Sequence, residues 1–514
     1  MRSPADAKGT DTAVPAGARR RALTHAQMYA RLLANDASCN GRFFTGVLTT
    51  GIYCLPSCRA RKPKSANVRF FPSVETARAA GLRPCRKCHP DDFARGADPV
   101  LEQIEALAAE IRSAPSRFAS VSAIVHRSGF GATRLFELFR QHYHTTPADF
   151  LLHARLAAAR TRLAETDESV AAIAYAAGFE TLSVFHENFR RFNGLTPAAY
   201  RKLREVRTFS VALPGDYPLA YLRRALSRDP HSVTERFEGD TYRAGVWLDA
   251  TPAVLTLQLA PQALTVAISA GSVYAAHELV VGLAGLEQDS AAFVRAVRRL
   301  GLFRLVAGRA GLRISQTPSV FDGLLWAIIG QQINFPFACL LKRRLIERVS
   351  HPLEDGLYVP PPPEAVARLE PADLQPLQFS RQKANYVVMT ARLVASGQLD
   401  LAALRTMSAT RAERTLLAVH GLGPWSVNYL MMRSLGFLDC VPLGDTGVTS
   451  GLQSLFALDH RPDRDETLRL MRDFSPYRSL ATTHLWQLDR PLTSPSSRTR
   501  RPSLRAGARR GSAR

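Results

Sequence analysis

Four cysteines have the spacing of a metal site. Cys54 and Cys58 are the first and last residues of the segment CLPSC. Cys85 and Cys88 are the first and last residues of the segment CRKC. Two close pairs of thiolates suit a tetrahedral zinc site, because each short loop can present both sulfurs to one ion. The alternative, four unrelated thiols, is disfavoured by this spacing. The sequence therefore predicts one zinc ion bound by these four cysteines.

A second group of residues lies towards the C-terminus. The segment LLAVHGLGPWSVNYL predicts two helices joined by a turn that contains Gly421 and Gly423. Backbone amides at the start of the second helix suit a phosphate oxygen, although GLGPW alone is also typical of an ordinary loop. The segment VPLGDTGV follows and places Asp445 between apolar residues and glycines. Taken alone, this aspartate is equally well interpreted as a helix cap.

The segments around the cysteines resemble those of a known family. TTGIYCLPSCRARK and LRPCRKCHPDD resemble the amino-terminal domain of the Ada adaptive-response family. The resemblance implies that Cys54 is also a nucleophile, which takes a methyl group irreversibly from a methylphosphotriester in DNA. Zinc keeps such a sulfur deprotonated, and its methylation reduces the negative charge that repels DNA. The family's phosphate contacts fall here on Thr50, Arg61 and Lys87, where Lys87 replaces a commoner arginine.

The C-terminal segments carry a second resemblance. TPSVFDGLLWAIIGQQIN, the Gly-Leu-Gly hairpin, VPLGDTGV and SPYRSLATTHLW together resemble the helix-hairpin-helix DNA glycosylases of the AlkA type, which remove 3-methyladenine. The resemblance implies that Asp445 is the catalytic carboxylate and that Gln332 or Ile333 fills the gap left by the flipped base. It also implies a base pocket lined by Trp425, Tyr429 and Trp486.

The proposed chemistry suits those residue types. An alkylated purine is cationic and leaves readily, so one carboxylate that stabilises the oxocarbenium-like sugar is sufficient. The base must first leave the stack, and aromatic rings then favour a cationic base. Trp425 stands where strand-cutting relatives have a lysine, and residues 416–490 contain no lysine. We therefore predict a monofunctional glycosylase.

An internal repeat predicts a DNA reader. VSAIVHRSGF at 121–130 is similar to VAAIAYAAGF at 170–179. Each copy continues into a second predicted helix, which ends before a Thr-Pro pair that opens the next helix. One copy alone could be an ordinary helical hairpin, but two copies in a basic chain resemble the AraC-type double helix-turn-helix domain. The residues expected to face the DNA groove are Thr133, Arg134, Ser183 and His186. Those expected at phosphates are Arg140 and Arg190.

Composition and pattern place these sites in a multidomain, mainly α protein. The 514 residues are 46% hydrophobic and 22% charged, with a net charge of +23, which favours a polyanionic partner. No apolar run is long enough to span a membrane, and the N-terminal residues lack a secretory signal. The predicted segments are a disordered leader (1–23), a small α/β zinc domain (24–95), an all-α double helix-turn-helix domain (96–206), a strand-rich, TBP-like α/β subdomain (207–290), an all-α helix-hairpin-helix glycosylase domain (291–490) and a disordered basic tail (491–514).

We interpret the whole as a fusion of alkylation repair and adaptive-response regulation. The expected cofactor is one zinc ion, without an iron–sulfur cluster or a nucleotide cofactor. The expected partners are alkylated and promoter double-stranded DNA and RNA polymerase, with no membrane, and a monomer in the bacterial cytoplasm at the nucleoid is favoured. Two alternatives remain: a regulator whose glycosylase-like domain only binds damage, and a glycosylase whose zinc site is purely structural.

Overall fold

The computed structural model describes residues 23–36, 39–58, 60–94, 98–353 and 355–488. The predicted disordered leader, apart from residue 23, and the predicted basic tail lie outside these ranges. The chain divides after Ala106 into two compact units. In the described part of the chain, no helix has the length and apolar character needed to cross a membrane.

The first unit is built on a small sheet that brings the cysteine pairs together. Its strands are β1 (Phe44–Val47), β2 (Ile52–Cys54), β3 (Val68–Phe71) and β4 (Arg83–Pro84), in the order β3-β1-β2-β4. Its helices are α1 (His25–Leu33), α2 (Val74–Ala79), α3 (Pro90–Ala94) and the start of α4 (Pro99–Ser113). Because β2 pairs in parallel with β4, Tyr53 lies opposite Pro84. This register places Cys54 at the end of one strand beside Cys85, which directly follows the other.

The second unit begins with the predicted repeat of helix pairs. Its helices are α5 (Val121–Ser128), α6 (Ala132–Tyr143), α7 (Pro147–Glu165), α8 (Val170–Ala176), α9 (Leu182–Asn193) and α10 (Pro197–Arg201). The equivalent helices α6 and α9 both end at a left-handed residue, His144 (φ 56°) and Gly194 (φ 65°). Thr146 and Thr196 then cap α7 and α10 with their side chains. The Thr-Pro stops therefore open the next helix in both copies, as predicted.

A five-stranded antiparallel sheet follows, in the region that was predicted to be rich in strands. Its strands are β5 (Thr208–Ala212), β6 (Glu235–Glu238), β7 (Thr241–Leu248), β8 (Thr251–Ala260) and β9 (Ala263–Ile268), in the order β5-β9-β8-β7-β6. The helices α11 (Leu219–Leu226) and α12 (Val273–Ala284) accompany it. Alternate residues of β8 are buried, as the period of two required.

The helix-turn-helix region and this sheet share one apolar core, which runs from Leu156 to Leu286. The Ala212 amide donates to the Gly194 carbonyl at 2.8 Å, and a Cβ on Gly194 would overlap Val211 and the backbone of Ala212. On the helical side, the rings of Tyr200 and Tyr274 lie 5.2 Å apart. The predicted domain boundary at residue 206 therefore lies within one continuous apolar core.

The remaining residues form a helical layer around its own core. Its helices are α13 (Ser290–Arg299), α14 (Phe303–Val306), α15 (Val320–Ile329), α16 (Phe335–Val349), α17 (Pro363–Ala367), α18 (Arg381–Ala395), α19 (Leu401–Thr406), α20 (Ala409–Leu417), α21 (Pro424–Arg433), α22 (Thr446–Phe456), α23 (Arg464–Met471) and α24 (Arg478–Trp486). The predicted hairpin lies between α20 and α21.

The C-terminal end of α6 packs on this helical layer. His142 Nδ1 lies 2.8 Å from the hydroxyl of Thr410 in α20. The Asp439 amide donates to His144 Nδ1 at 3.1 Å. Burial lowers the pKa of His144 to about 4, so its ring is neutral at pH 7 and can accept this bond. His144 has a left-handed backbone, which usually favours glycine, but glycine has no side chain that could make this contact.

Candidate functional site

The four predicted ligands converge on one point. Among the described residues, the sulfurs of Cys54, Cys58, Cys85 and Cys88 lie within 4.8 Å of one another. The first three side chains are buried and Cys88 is half-buried. The Leu55 amide donates to the Cys88 sulfur at 3.3 Å, which orients that ligand. Four thiolates at such close range require a compensating cation, and an all-sulfur tetrahedral donor set fits zinc.

A hydrogen-bonded network supports this centre from behind. Tyr53, directly before Cys54, is fully buried, and its hydroxyl donates to the Asp91 carboxylate. Arg78 Nε donates to the Tyr53 oxygen at 3.1 Å, and its guanidinium also pairs with Asp91. Burial, followed by the hydrogen bond to Asp91, raises the pKa of Tyr53, so the phenol keeps its proton. The network holds the strand that carries Cys54. Sequence reasoning missed it, although Asp91 lies in the HPDD segment that follows the last ligand.

The predicted phosphate contacts of the zinc domain are all exposed. Thr50 lies in the turn between β1 and β2, and its hydroxyl donates to the Val47 carbonyl at 3.4 Å. Arg61 follows Cys58 by three residues, and Lys87 directly precedes Cys88. Two cations therefore adjoin the ligand pairs in the chain, which suits an approaching DNA backbone.

Asp445 is a helix cap and the centre of an aromatic cluster at once. Its Oδ1 accepts the amides of Gly447 at 2.9 Å and Val448 at 3.0 Å, which caps α22. Trp486 Nε1 donates to the same oxygen at 2.9 Å, and Trp425 Nε1 donates to Oδ2 at 3.2 Å. Four N–H groups fix the carboxylate, and the interpretations of Asp445 as a cap and as a site residue are compatible.

The three predicted pocket residues lie together beside this carboxylate. The rings of Trp425 and Tyr429 are stacked, with centroids 5.3 Å apart and planes 20° apart. Trp486 lies 6.3 Å from Tyr429 at 43°. Tyr429 is buried and both indoles are half-buried, so the cluster offers an electron-rich wall that a flat base can reach.

A cavity of about 110 Å³ adjoins this wall and contains residues that sequence reasoning missed. Tyr429, Arg228, Trp326 and Phe335 are among its lining. Arg228 Nη1 donates to the Tyr429 hydroxyl oxygen at 3.4 Å. Burial by itself raises the pKa of Tyr429, but the charges of Arg228 and Arg433 outweigh this effect and lower it. Arg228 lies in the segment LSRDPH, which contains no motif that could have identified it.

The hairpin and the neighbouring loop have the geometry of a DNA contact. Gly421 has a φ of +95° and lies against the Tyr386 ring, so a Cβ would not fit. Gly423 directly precedes α21 and has no side chain to cap it, which leaves the first amides of that helix for another acceptor. Gln332 is exposed with a φ of 55°, whereas Ile333 is partly buried against the core. Of the two residues predicted to fill the gap left by the flipped base, Gln332 is the one with an exposed side chain.

The residues predicted to face the groove or to contact phosphates lie mostly on exposed faces of α6 and α9. Arg134 is half-buried and pairs with Glu137 at 3.6 Å. Arg140 differs from its repeat partner, because its Nη2 donates to the Ser475 carbonyl of the helical layer at 2.8 Å. The exposed members of the set are Thr133, Ser183, His186 and Arg190. The assignment of Arg140 to a phosphate stays a prediction.

Three family models match separate parts of the chain. Residues 27–91 match the metal binding domain of Ada, and residues 120–203 match a helix-turn-helix domain. Residues 325–476 match the HhH-GPD superfamily of base excision DNA repair proteins.

Curated relatives include proteins with one part of this architecture and proteins with nearly all of it. A DNA-3-methyladenine glycosylase of Bacillus subtilis is 34% identical over 207 residues, covering 40% of this chain and 68% of the relative. A bifunctional transcriptional activator/DNA repair enzyme, AdaA, of the same species is 31% identical over 179 residues, covering 34% and 82%. A probable bifunctional transcriptional activator/DNA repair enzyme, AlkA, of Mycobacterium tuberculosis is 28% identical over 487 residues, covering 90% and 96%.

Proposed function

Because the chain belongs to the family of bifunctional Ada/AlkA-type transcriptional activators and DNA repair enzymes, we propose that it repairs alkylated DNA at two chemically different sites. One site excises alkylated bases such as 3-methyladenine, and the other accepts methyl groups from the backbone and signals the damage to transcription. The observation that carries the proposal is the Asp445 carboxylate, which two indole N–H groups hold at the wall of stacked aromatic rings.

In the excision reaction, Asp445 is the group that stabilises positive charge on the sugar. Its four N–H donors hold the carboxylate in one orientation, so it needs no reorganisation as the N-glycosyl bond breaks. Trp425, Tyr429 and Trp486 receive the flipped base, and Gln332 fills the gap in the duplex. Water then attacks the sugar carbon and leaves an abasic site.

The glycosylase is monofunctional because the lysines near the site are engaged in other contacts, including Lys342, which lines the cavity. Residues 291–490 contain only Lys342 and Lys383. Lys342 pairs with Asp322 at 2.7 Å. Lys383 donates to the carbonyls of Ile329 and Gln331 at 2.9 and 2.7 Å. Borohydride added during turnover on alkylated duplex should trap no covalent protein–DNA adduct, and strand scission without base or heat would contradict the proposal.

At the zinc site, Cys58, Cys85 and Cys88 are ligands, and Cys54 is a ligand and the methyl acceptor. Bound zinc supplies the charge that keeps the Cys54 sulfur a thiolate at neutral pH. The sulfur attacks the methyl carbon of a phosphotriester, so that an S–C bond forms, the C–O bond breaks and a phosphodiester anion leaves. Thr50, Arg61 and Lys87 hold the phosphate.

Mass spectrometry of peptides tests this role. After incubation with methylated DNA, Cys54 should gain one methyl group, while Cys85 in the same sample should remain unmodified. A purely structural zinc site would leave Cys54 unmodified as well.

The transcriptional role follows from the change of charge at the zinc site. Methylation makes one thiolate a neutral thioether, so promoter affinity rises and α6 and α9 read the DNA sequence. We place this activity in the bacterial cytoplasm at the nucleoid, with RNA polymerase as the protein partner and the protein as a monomer. Equal promoter affinity of methylated and unmethylated protein at fixed salt would contradict the switch.

A further inference from the structure

Arg228 places a permanent positive charge at the end of the aromatic wall. Its guanidinium carbon lies 5.4 Å from the centre of the Trp326 ring and 4.8 Å from that of Phe335. A third contact, to the Tyr429 hydroxyl, directs the same group towards the proposed base pocket. Arg228 is exposed to the solvent of the cleft, yet two aromatic faces and one hydrogen bond hold its guanidinium, a more defined environment than that of an ordinary surface arginine.

A charge at this position affects two classes of base differently. A cationic base, such as 7-methylguanine, becomes neutral as the N-glycosyl bond breaks, so its repulsion from the arginine disappears along the reaction. A neutral base, such as hypoxanthine, becomes an anion unless it gains a proton. A nearby guanidinium stabilises that developing anion by attraction and by charge-assisted hydrogen bonds.

We propose that Arg228 is a specificity-determining residue, which extends excision to neutral bases by stabilising the negative charge of the departing base. The proposal rests on the assignment of Tyr429 and Asp445 to the excision site. It gives the two groups that separate in the reaction side chains of opposite charge: Asp445 stabilises the sugar and Arg228 stabilises the base.

The expected magnitude follows from the geometry. The guanidinium is one phenol ring away from a base stacked at Tyr429, a distance of roughly 7 Å. At an effective dielectric constant of about 20, the attraction between two unit charges at that distance changes a rate by up to about 50-fold. Because charge transfer in the transition state is partial, we expect about a 10- to 50-fold effect on neutral bases. For cationic bases we expect a change below about threefold in kcat/KM together with tighter substrate binding, since repulsion in the bound ground state is removed.

Excision from two otherwise identical duplexes tests the proposal, one containing hypoxanthine and the other 7-methylguanine. The full-length protein is compared with Arg228→Gln and Arg228→Lys in single turnovers at subsaturating enzyme, so that the rates report kcat/KM and not the chemical step of the bound complex alone. The Gln variant should lose hypoxanthine excision while it retains 7-methylguanine excision, and the Lys variant should recover much of the loss because it keeps the charge. The ratio of the two substrates is insensitive to the fraction of folded protein.

Arg343→Gln is the matched control. Arg343 lines the same cavity, but it pairs with Asp229 and donates to the His231 carbonyl instead of Tyr429. Its loss should affect both substrates equally. An unchanged substrate ratio in Arg228→Gln protein that still excises 7-methylguanine would overturn the role of Arg228. Excision of both bases by Asp445→Asn protein would instead overturn the proposed site itself.

Discussion

Replacing Asp445 by asparagine separates the capping role that the structure shows from the catalytic role that we propose. The amide oxygen of asparagine can still accept the Gly447 and Val448 amides, and asparagine is as good a helix cap as aspartate. It cannot stabilise positive charge on the sugar. With about 4 Å between opposite charges and an effective dielectric constant of about 20, the lost attraction is about 4 kcal/mol, or about a 1000-fold slower excision.

The same substitution has a predictable effect on stability. The asparagine NH₂ group replaces an oxygen that now accepts Trp425 Nε1 at 3.2 Å, so that two donors face each other. An unpaired donor at this half-buried position costs about 1 kcal/mol, so the variant should melt at a lower temperature but remain folded. Adding Trp425→Phe removes the facing indole N–H, and the double variant should regain stability without regaining excision.

The assay is single-turnover release of 3-methyladenine from alkylated duplex, with thermal unfolding measured on the same preparations. A single Asn variant that excises at a rate close to that of the unmodified protein would refute the electrostatic reasoning. Slow excision that recovers together with stability in the double variant would refute it as well, because the defect would then be structural.

Further predictions concern zinc binding, stability in acid and the loop that contains Gln332. Cys85→Ala should abolish zinc binding and unfold the first unit, as metal analysis and circular dichroism would show, because structural zinc contributes folding free energy directly. Burial lowers the pKa of His277 and His484 to about 4 from the usual 6.5, so the unfolded chain takes up protons first. The urea midpoint should therefore fall as the pH drops from 6.5 towards 4, and a midpoint that is constant over this range would contradict the assignment. Lys383→Met should lower the unfolding free energy by about 2–3 kcal/mol, because the carbonyls at the end of α15 lose a charged donor; Lys64→Met, at an exposed site in the first unit, serves as the control.

Local spacing was sufficient to predict the zinc centre. Two short loops determine which sulfurs can act together, so Cys54, Cys58, Cys85 and Cys88 were identified without knowledge of the sheet. The hydrogen-bonded network behind these cysteines was not predicted. Tyr53, Arg78 and Asp91 come into contact only when β2, α2 and α3 pack together, and no periodic sequence pattern indicates such a contact.

The proposed excision site likewise combines residues that could be predicted with one that could not. Asp445 and the three aromatic residues lie in recognisable segments, and the structure brings them together. Arg228 comes from a loop of the five-stranded subdomain and lines a cavity that this subdomain and the helical layer form together. A lone arginine in a chain with a net charge of +23 carries no signal of its own, so only tertiary packing reveals its position.

The contact of Arg140 with Ser475 shows a further limit of prediction from sequence. The repeat predicts equivalent roles for Arg140 and Arg190, but the two helices pack against different neighbours. The end of α6 meets the helical layer, whereas the end of α9 meets the sheet. Internal symmetry in a sequence indicates a repeated fold without determining which surfaces each copy will cover.

The shared core of the reader and the sheet also bears on how such fusions can be divided by recombination. A crossover after residue 206 would separate Tyr200 from Tyr274 and leave the Gly194 carbonyl without the Ala212 amide. The apolar face of α9 and α10 would then meet water, so the severed reader should aggregate unless polar substitutions accompany the cut. A breakpoint within 287–289, after the described cluster ends, keeps that core in one piece. Chimaeras made at the two positions should therefore differ in yield of soluble protein before any activity is measured.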